Sequence, residues 1–199
     1  YTIFHHTMMC HIQLANYIHE NHSDVKIGGM LAYQQIYPAT SKPEDVWAAK
    51  QVQEFLNFNI YDADTGCGYS PEVMQYVKNH GIQMDITDED KEIMKKAKAD
   101  FLAFSYYSSW VLSSDKIPDG EAPNHYLNKG GVESKYVKTN DWGWAIDPLG
   151  FRNAITTMYN YYRIPIFPIE NGIGLKETWD GEHMIEDDER IAYHRDHIK

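Results

Sequence analysis

A single carboxylate closes the apolar run Ile164-Pro165-Ile166-Phe167-Pro168-Ile169-Glu170, and Asn171-Gly172 follows it at once. A short run that is apolar throughout, with no alternation, predicts a strand covered on both faces, as in a parallel sheet. The Asn-Gly pair ends such a strand because both residues tolerate positive φ. Glu170 is thereby predicted at the C-terminal lip of a strand, where parallel α/β architectures bind ligands and do their chemistry. A glutamate at a strand end is also simply the first solvated residue of a loop, and the local pattern leaves both readings open.

Other groups that could do chemistry are weaker. His5, His6 and His11 lie on one N-terminal helical segment, but His6 and His11 are five positions apart, not the i, i+4 of a helical metal pair, and they read as ordinary helix histidines. Asp62, Asp64 and Gly66 hold part of a calcium-loop pattern without its closing glutamate. Cys10 and Cys67 have no metal-type spacing and make no disulfide framework. The net charge of −11 argues against nucleic acid as a partner, and no apolar run is long enough to span a membrane. The 15 Tyr and 5 Trp are numerous enough to supply both core and sugar-stacking surfaces. The sequence opens without Met inside a helical pattern, so its true N-terminus is expected elsewhere and no targeting signal can be judged.

The elements that must position Glu170 follow in order. Phe4, Met8, Ile12, Ala15 and Ile18 predict a helix over about Tyr1 to Glu20. Lys26 to Tyr33 reads as a strand with Gln34 to Pro38 as its exit loop. Ser41 with Glu44 reads as a capping box, starting a helix that runs to about Asn59. Turn formers fill Asp62 to Tyr69. Ser70-Pro71-Glu72 opens a short helix, and Thr87-Asp88-Glu89-Asp90 opens a lysine-rich one ending near Ala99. Asp100 to Tyr107 is a second buried-strand run. Val111 to Thr139 has no clear period and reads as a long loop, a kind that is usually functional or disordered. Asp147-Pro148 starts a helix through Phe151, Ile155 and Tyr159 that leads to the Glu170 strand, and Ile185 to Lys199 is an acidic loop entering a last helix. Alternating strands and helices imply parallel strands with right-handed crossovers. Either a small doubly wound sheet or part of a (β/α)8 barrel satisfies that order.

Several segments choose between them. Pro165 to Gly172 resembles the nucleophile signature of glycoside hydrolase family 1. Asp100 to Ser108 is similar to that family's strand-six segment, and Asp141-Trp142-Gly143-Trp144-Ala145-Ile146-Asp147-Pro148-Leu149-Gly150 to its Gly-Trp-x-Ile-x-Pro-x-Gly segment. Ile36-Tyr37-Pro38 resembles the strand-five exit, and Asp187 to Ile198 the start of the last helix. The matches are collinear along nearly the whole chain. Ala32 and Ser105 stand where the family's β-glucosidases commonly carry Asn, and Trp142 where they usually have Met. In these forms the chain most resembles the 6-phospho-β-glucosidases.

The resemblance implies an α/β fold, a partial (β/α)8 TIM barrel of about strands five to seven with their helices, residues 1–199 forming a fragment of one glycosidase domain. It implies a retaining β-glycoside hydrolase acting by double displacement, with two carboxyl groups about 5–5.5 Å apart. Glu170 would be the nucleophile, needing hydrogen-bond donors that favour its ionised form. Tyr107 would donate to it, its other reading being a core tyrosine at a strand end. Trp142 and Trp144 would lie near the substrate entrance, although Trp144 also reads as a loop anchor. The implied partner is a phosphorylated β-glucoside imported by a sugar phosphotransferase system, in the cytoplasm, without metal or cofactor; homo-oligomers stay open. The family's acid/base Glu, in an Asn-Glu-Pro-like motif, and its phosphate-holding Ser, Lys and Tyr have no match in this sequence. The fragment alone is therefore expected to be inactive. The alternatives are an unphosphorylated β-glucosidase or β-galactosidase of the same family, and a non-catalytic carbohydrate-binding half-barrel that covers its open edges. An unrelated nucleotide-binding α/β enzyme is disfavoured by the lack of a glycine-rich phosphate loop.

Overall fold

The N-terminal periodicity becomes helix α1 (Thr2–Asn21), which buries His5, Met8, Met9, Ile12 and Ala15 in a computed structural model that describes residues 1–199. Its buried His5 is a core histidine, with Nδ1 2.8 Å from Tyr69 Oη and Nε2 3.3 Å from an Asp90 carboxylate oxygen. The other early elements are β1 (Met30–Ala32), β2 (Gln35–Pro38), α2 (Pro43–Gln53), a π-helical turn (Glu54–Phe58), α3 (Asn59–Asp64), α4 (Pro71–Asn79) and α5 (Asp88–Lys95). After them come β3 (Leu102–Tyr106), β4 (Ser109–Leu112), α6 (Tyr126–Gly130), β5 (Gly131–Val132), α7 (Pro148–Tyr162), β6 (Ile166–Asn171) and α8 (Asp188–Ile198).

Two start signals act as predicted. Thr87 and Asp90 form a reciprocal capping box on α5, and Asp147 caps α7 by accepting from Gly150 N at 2.8 Å. The Ser41–Glu44 box does not form. Pro43, with φ preset for a first helical turn, moves the start of α2 onward, and Lys42 becomes the N-cap without a side-chain bond. Thr40 and Asp45 bond to each other instead, at 2.7 Å. Nor do Asp62 and Asp64 belong to a loop: the helix runs past Asn59 through the π-helical turn and takes both into α3.

The main sheet is parallel, in the order β1-β3-β6. Leu31, Leu102, Phe104 and Tyr106 point to one side of it. There they pack with Tyr61 of α3 and with Ala154 and Met158 of α7. The opposite side carries no helix. That asymmetry is the wall of a barrel, because a doubly wound sheet is covered on both faces. It also corrects the expectation of a doubly covered Glu170 strand. β6 is an edge strand whose Ile166 packs toward α7, while Phe167 and Ile169 are 55% and 43% exposed on the open side.

The predicted exit loop after β1 and the predicted long loop both contain strand. β2 pairs with β4 in parallel, and β5 closes onto β4 antiparallel. Asn57 covers the break between β1 and β2: its side chain accepts from Gln34 N at 3.1 Å and donates to Gln34 O at 2.7 Å. The ladder can therefore kink without orphaned backbone groups. Within the predicted loop, Gly130 lets backbone approach closely. A Cβ there would lie 2.6 Å from Ile117 Cγ1 and 2.9 Å from Leu112 Cδ1. Leu112, Ile36, Ala48, Ala49 and Val52 make this sheet's own small core against α2. Strands of two to four residues are too short to show a period, which is why the segment looks irregular in sequence.

Candidate active site

Glu170 shares sequence parity with Ile166 and Pro168, so a regular β6 would aim it at the helices. The ladder slips before it gets there. Phe104 pairs with Pro168, but the next residue, Ser105, pairs with Glu170, leaving Ile169 as an extra residue on β6. Such a bulge re-aims the side chains beyond it. Glu170 is thereby turned onto the open face, level with Ser105, and Asn171 is turned back toward the helices, level with Tyr106.

Tyr107 leaves the end of β3 on the same face as Glu170 and donates from its hydroxyl to Glu170 Oε2 at 3.2 Å. Partial burial first, and the bond to the Glu170 carboxylate second, raise the pKa of the Tyr107 phenol above its ordinary value. It therefore remains a protonated donor throughout the neutral range.

The two tryptophans are brought to the same lip. The Trp144 ring lies 5.6 Å from that of Tyr107, and Trp142 stands edge-on to Trp144 at 5.5 Å. Asn140 builds the turn that presents them. Its side-chain oxygen accepts from Trp142 N and Trp144 N, both at 2.9 Å, and Gly143 takes the positive φ of 79° that the turn requires. The loop leaving Glu170 then runs over Trp142. A Cβ on Gly174 would sit 2.8 Å from Trp142 Cδ2, and Lys176 N donates to Asp141 at 3.0 Å.

All four residues singled out in the sequence thus meet at one place. Tyr106, within the predicted buried-strand run, is fully buried and donates to Asp147 O at 3.2 Å. Sequence reasoning missed Asn140, Asn171, Gly174 and Tyr193. For Asn140 a signal existed, since Asn ahead of Asp-Trp-Gly is a turn former. In sequence Asn171 reads only as a strand terminator, and nothing local marks Tyr193.

A parallel sheet with helices on one side and a carboxylate, its phenol donor and an aromatic rim at the C-terminal lip defines the chain as part of a (β/α)8 barrel. Residues 1–199 match the model of glycosyl hydrolase family 1, and the chain belongs to that family. It is 35% identical to the aryl-phospho-beta-D-glucosidase BglH of Bacillus subtilis over 198 residues, covering 100% of this chain and 42% of that protein. The 6-phospho-beta-glucosidase of Dickeya chrysanthemi is also 35% identical, over 199 residues, with the same coverage. Among solved structures, the family 1 β-glucosidase from Thermotoga maritima superposes with a TM-score of 0.78 at 23% identity, over 98% of this chain and 42% of that one. The fold is accordingly a partial (β/α)8 barrel, and the chain spans 42% of the length of the relatives named here.

Proposed function

We propose that this chain supplies the nucleophile-bearing arc of a retaining 6-phospho-β-glucosidase, as one part of a single barrel domain. The observation that carries the reading is the Tyr107–Glu170 hydrogen bond on the open face of the sheet, at its C-terminal lip. In the first step Glu170 attacks the anomeric carbon. The bond from that carbon to the aglycone oxygen breaks, and an acid outside this segment protonates the departing oxygen. In the second step water displaces Glu170 from the glycosyl-enzyme and gives its proton to the same outside group. Tyr107 holds the attacking carboxylate in line, and Trp142 and Trp144 line the entrance.

The 6-phosphate preference is supported by the phospho-glucosidase names of the relatives and by Ala32, Ser105 and Trp142 in the sequence. A phosphorylated sugar does not cross a bilayer unaided, so this reading places the enzyme in the cytoplasm, and no helix of the chain is long and apolar enough to cross a membrane. With a net charge of −11 the chain does not itself explain phosphate binding, and the basic residues that do so belong to the rest of the barrel.

The test uses the complete protein that carries this segment. A 2-deoxy-2-fluoro-β-glucoside 6-phosphate is expected to label Glu170, as read by peptide mass spectrometry. Aryl glucoside 6-phosphate should be hydrolysed far faster than the unphosphorylated glucoside. Labelling of another residue overturns the nucleophile, and equal or inverted rates overturn the phosphate preference. The exposed Met30, Phe167 and Ile169 favour one second reading, a half-barrel that pairs with its own copy and binds sugar without turnover. Sizing of the 199-residue chain as a dimer, with binding but no hydrolysis, would support it.

A further inference from the structure

We infer that Asn171 and Tyr193 form a latch that sets the direction of Glu170, with Asn171 as a positioning residue and α8 as its anchor; the inference rests on the function proposed above. Glu170 sits just past a bulge on an edge strand, and its carboxylate bonds to one side chain only, Tyr107. A bulge frees a strand end to twist, so something must hold the backbone beyond it. Asn171 does so with both hydrogens of its amide. One goes to the carbonyl of Tyr106 at 2.9 Å and the other to the Tyr193 hydroxyl at 3.0 Å. The carbonyl of Tyr106 can only accept, so the amide nitrogen must face it, which fixes the rotamer.

The consequence is a double tie between neighbouring residues. Tyr107 bonds Glu170, and Tyr106 bonds Asn171, so the two segments that carry the reacting pair are locked in register at the lip. Tyr193 then joins them to α8. It is 4% exposed, and its ring stacks on His197 at 3.8 Å. His197 is packed in turn near Tyr106 and Phe151. The hydroxyl is thus held on a helix rather than on a loop, which favours a precise site.

The experiment uses the complete enzyme, with kcat, KM, the rate of labelling by the fluoroglucoside 6-phosphate and the melting temperature measured for each variant. Tyr193→Phe removes the hydroxyl and keeps the ring stack. Asn171→Asp keeps the shape and sets an acceptor against the Tyr106 carbonyl. Displacement of a reacting group by an ångström costs about 100-fold. We expect kcat and labelling rate to fall by about 10-fold in Tyr193→Phe, with KM and melting temperature close to the parent's, and by about 100-fold in Asn171→Asp, with KM close to the parent's and a lowered melting temperature. If Asn171→Asp does not fold, Tyr193→Phe alone decides. Unchanged kcat in Tyr193→Phe, or a loss in that variant that follows KM or melting temperature, overturns the latch while Glu170 labelling in the parent keeps the functional reading. Labelling of a different residue in the parent overturns that reading, and the latch with it.

Discussion

The hydroxyl of Tyr107 reaches Oε2 of Glu170 at 3.2 Å across 63 positions of sequence. The contact exists because β3 and β6 are neighbours in the sheet and because the extra residue Ile169 turns Glu170 toward the open face. A carboxylate and a phenol, each unremarkable alone, become a poised pair only at that register.

Replacing Glu170 with Gln keeps the size of the side chain and removes the carboxylate proposed as nucleophile. In the complete enzyme kcat should fall on the order of 10^4-fold or more, with substrate binding retained. Steady-state kinetics and calorimetric titration check the two halves. A variant that still forms the fluoroglucosyl adduct would exclude Glu170 as the attacking group.

Tyr107→Phe deletes one hydrogen bond to a charged group, about 1.5–3 kcal/mol, which is roughly 10- to 100-fold in rate. Because the Tyr107 pKa is raised, by burial and then by Glu170, the donor is present at every pH below its ordinary value of about 10. The variant should therefore lower the neutral plateau of the pH–rate profile, and loss of the alkaline limb alone would contradict the role.

Gly174→Ala pushes a methyl group into the face of the Trp142 indole, 2.8 Å from Cδ2. The ring is 58% exposed and can swing aside, so stability should hardly change. KM should rise, by roughly threefold to tenfold, and the tryptophan emission should shift. An unaltered KM would remove Trp142 from the substrate entrance.

Asp45 ties α2 to the segment after β4, accepting from Ser114 N and Ser114 Oγ, both at 2.7 Å. The bonds from Thr40 and Ser114 hold its pKa down at about 2. A depressed carboxylate stabilises the fold above its unfolded value of about 3.9, and that contribution disappears as pH falls through about 2. Asp45→Ala leaves the half-buried Ser114 amide without its partner and should cost about 1–2 kcal/mol. Denaturant melts from neutral pH down to acid should show the difference from the parent shrinking across that window.

Much of the chain's local structure is written in short stretches. The period of α1, the caps at Thr87 and Asp147 and the apolar runs of β3 and β6 each depend on neighbours a few positions away, and each formed where its residues predict. The failures have a common cause. Ser41 reads as a cap, but Pro43 moves the start of α2 past it, and Asp45 bonds Thr40 and Ser114, the latter 69 positions on. β2, β4 and β5 exist because they pair with one another, and no one of them is long enough to announce itself.

By itself the sequence determined the family, the alternation of strand and helix, and the four residues of the lip, because those reside in residue types at short, readable spacings. Tertiary structure alone decided which way Glu170 points, which face of the sheet stays open, and that Asn171 and Tyr193 stand behind the pair. Side-chain direction on a strand reverses with a single inserted residue. Whether a residue is inserted is settled by the partner strand, and that partner is chosen only when distant parts of the chain meet.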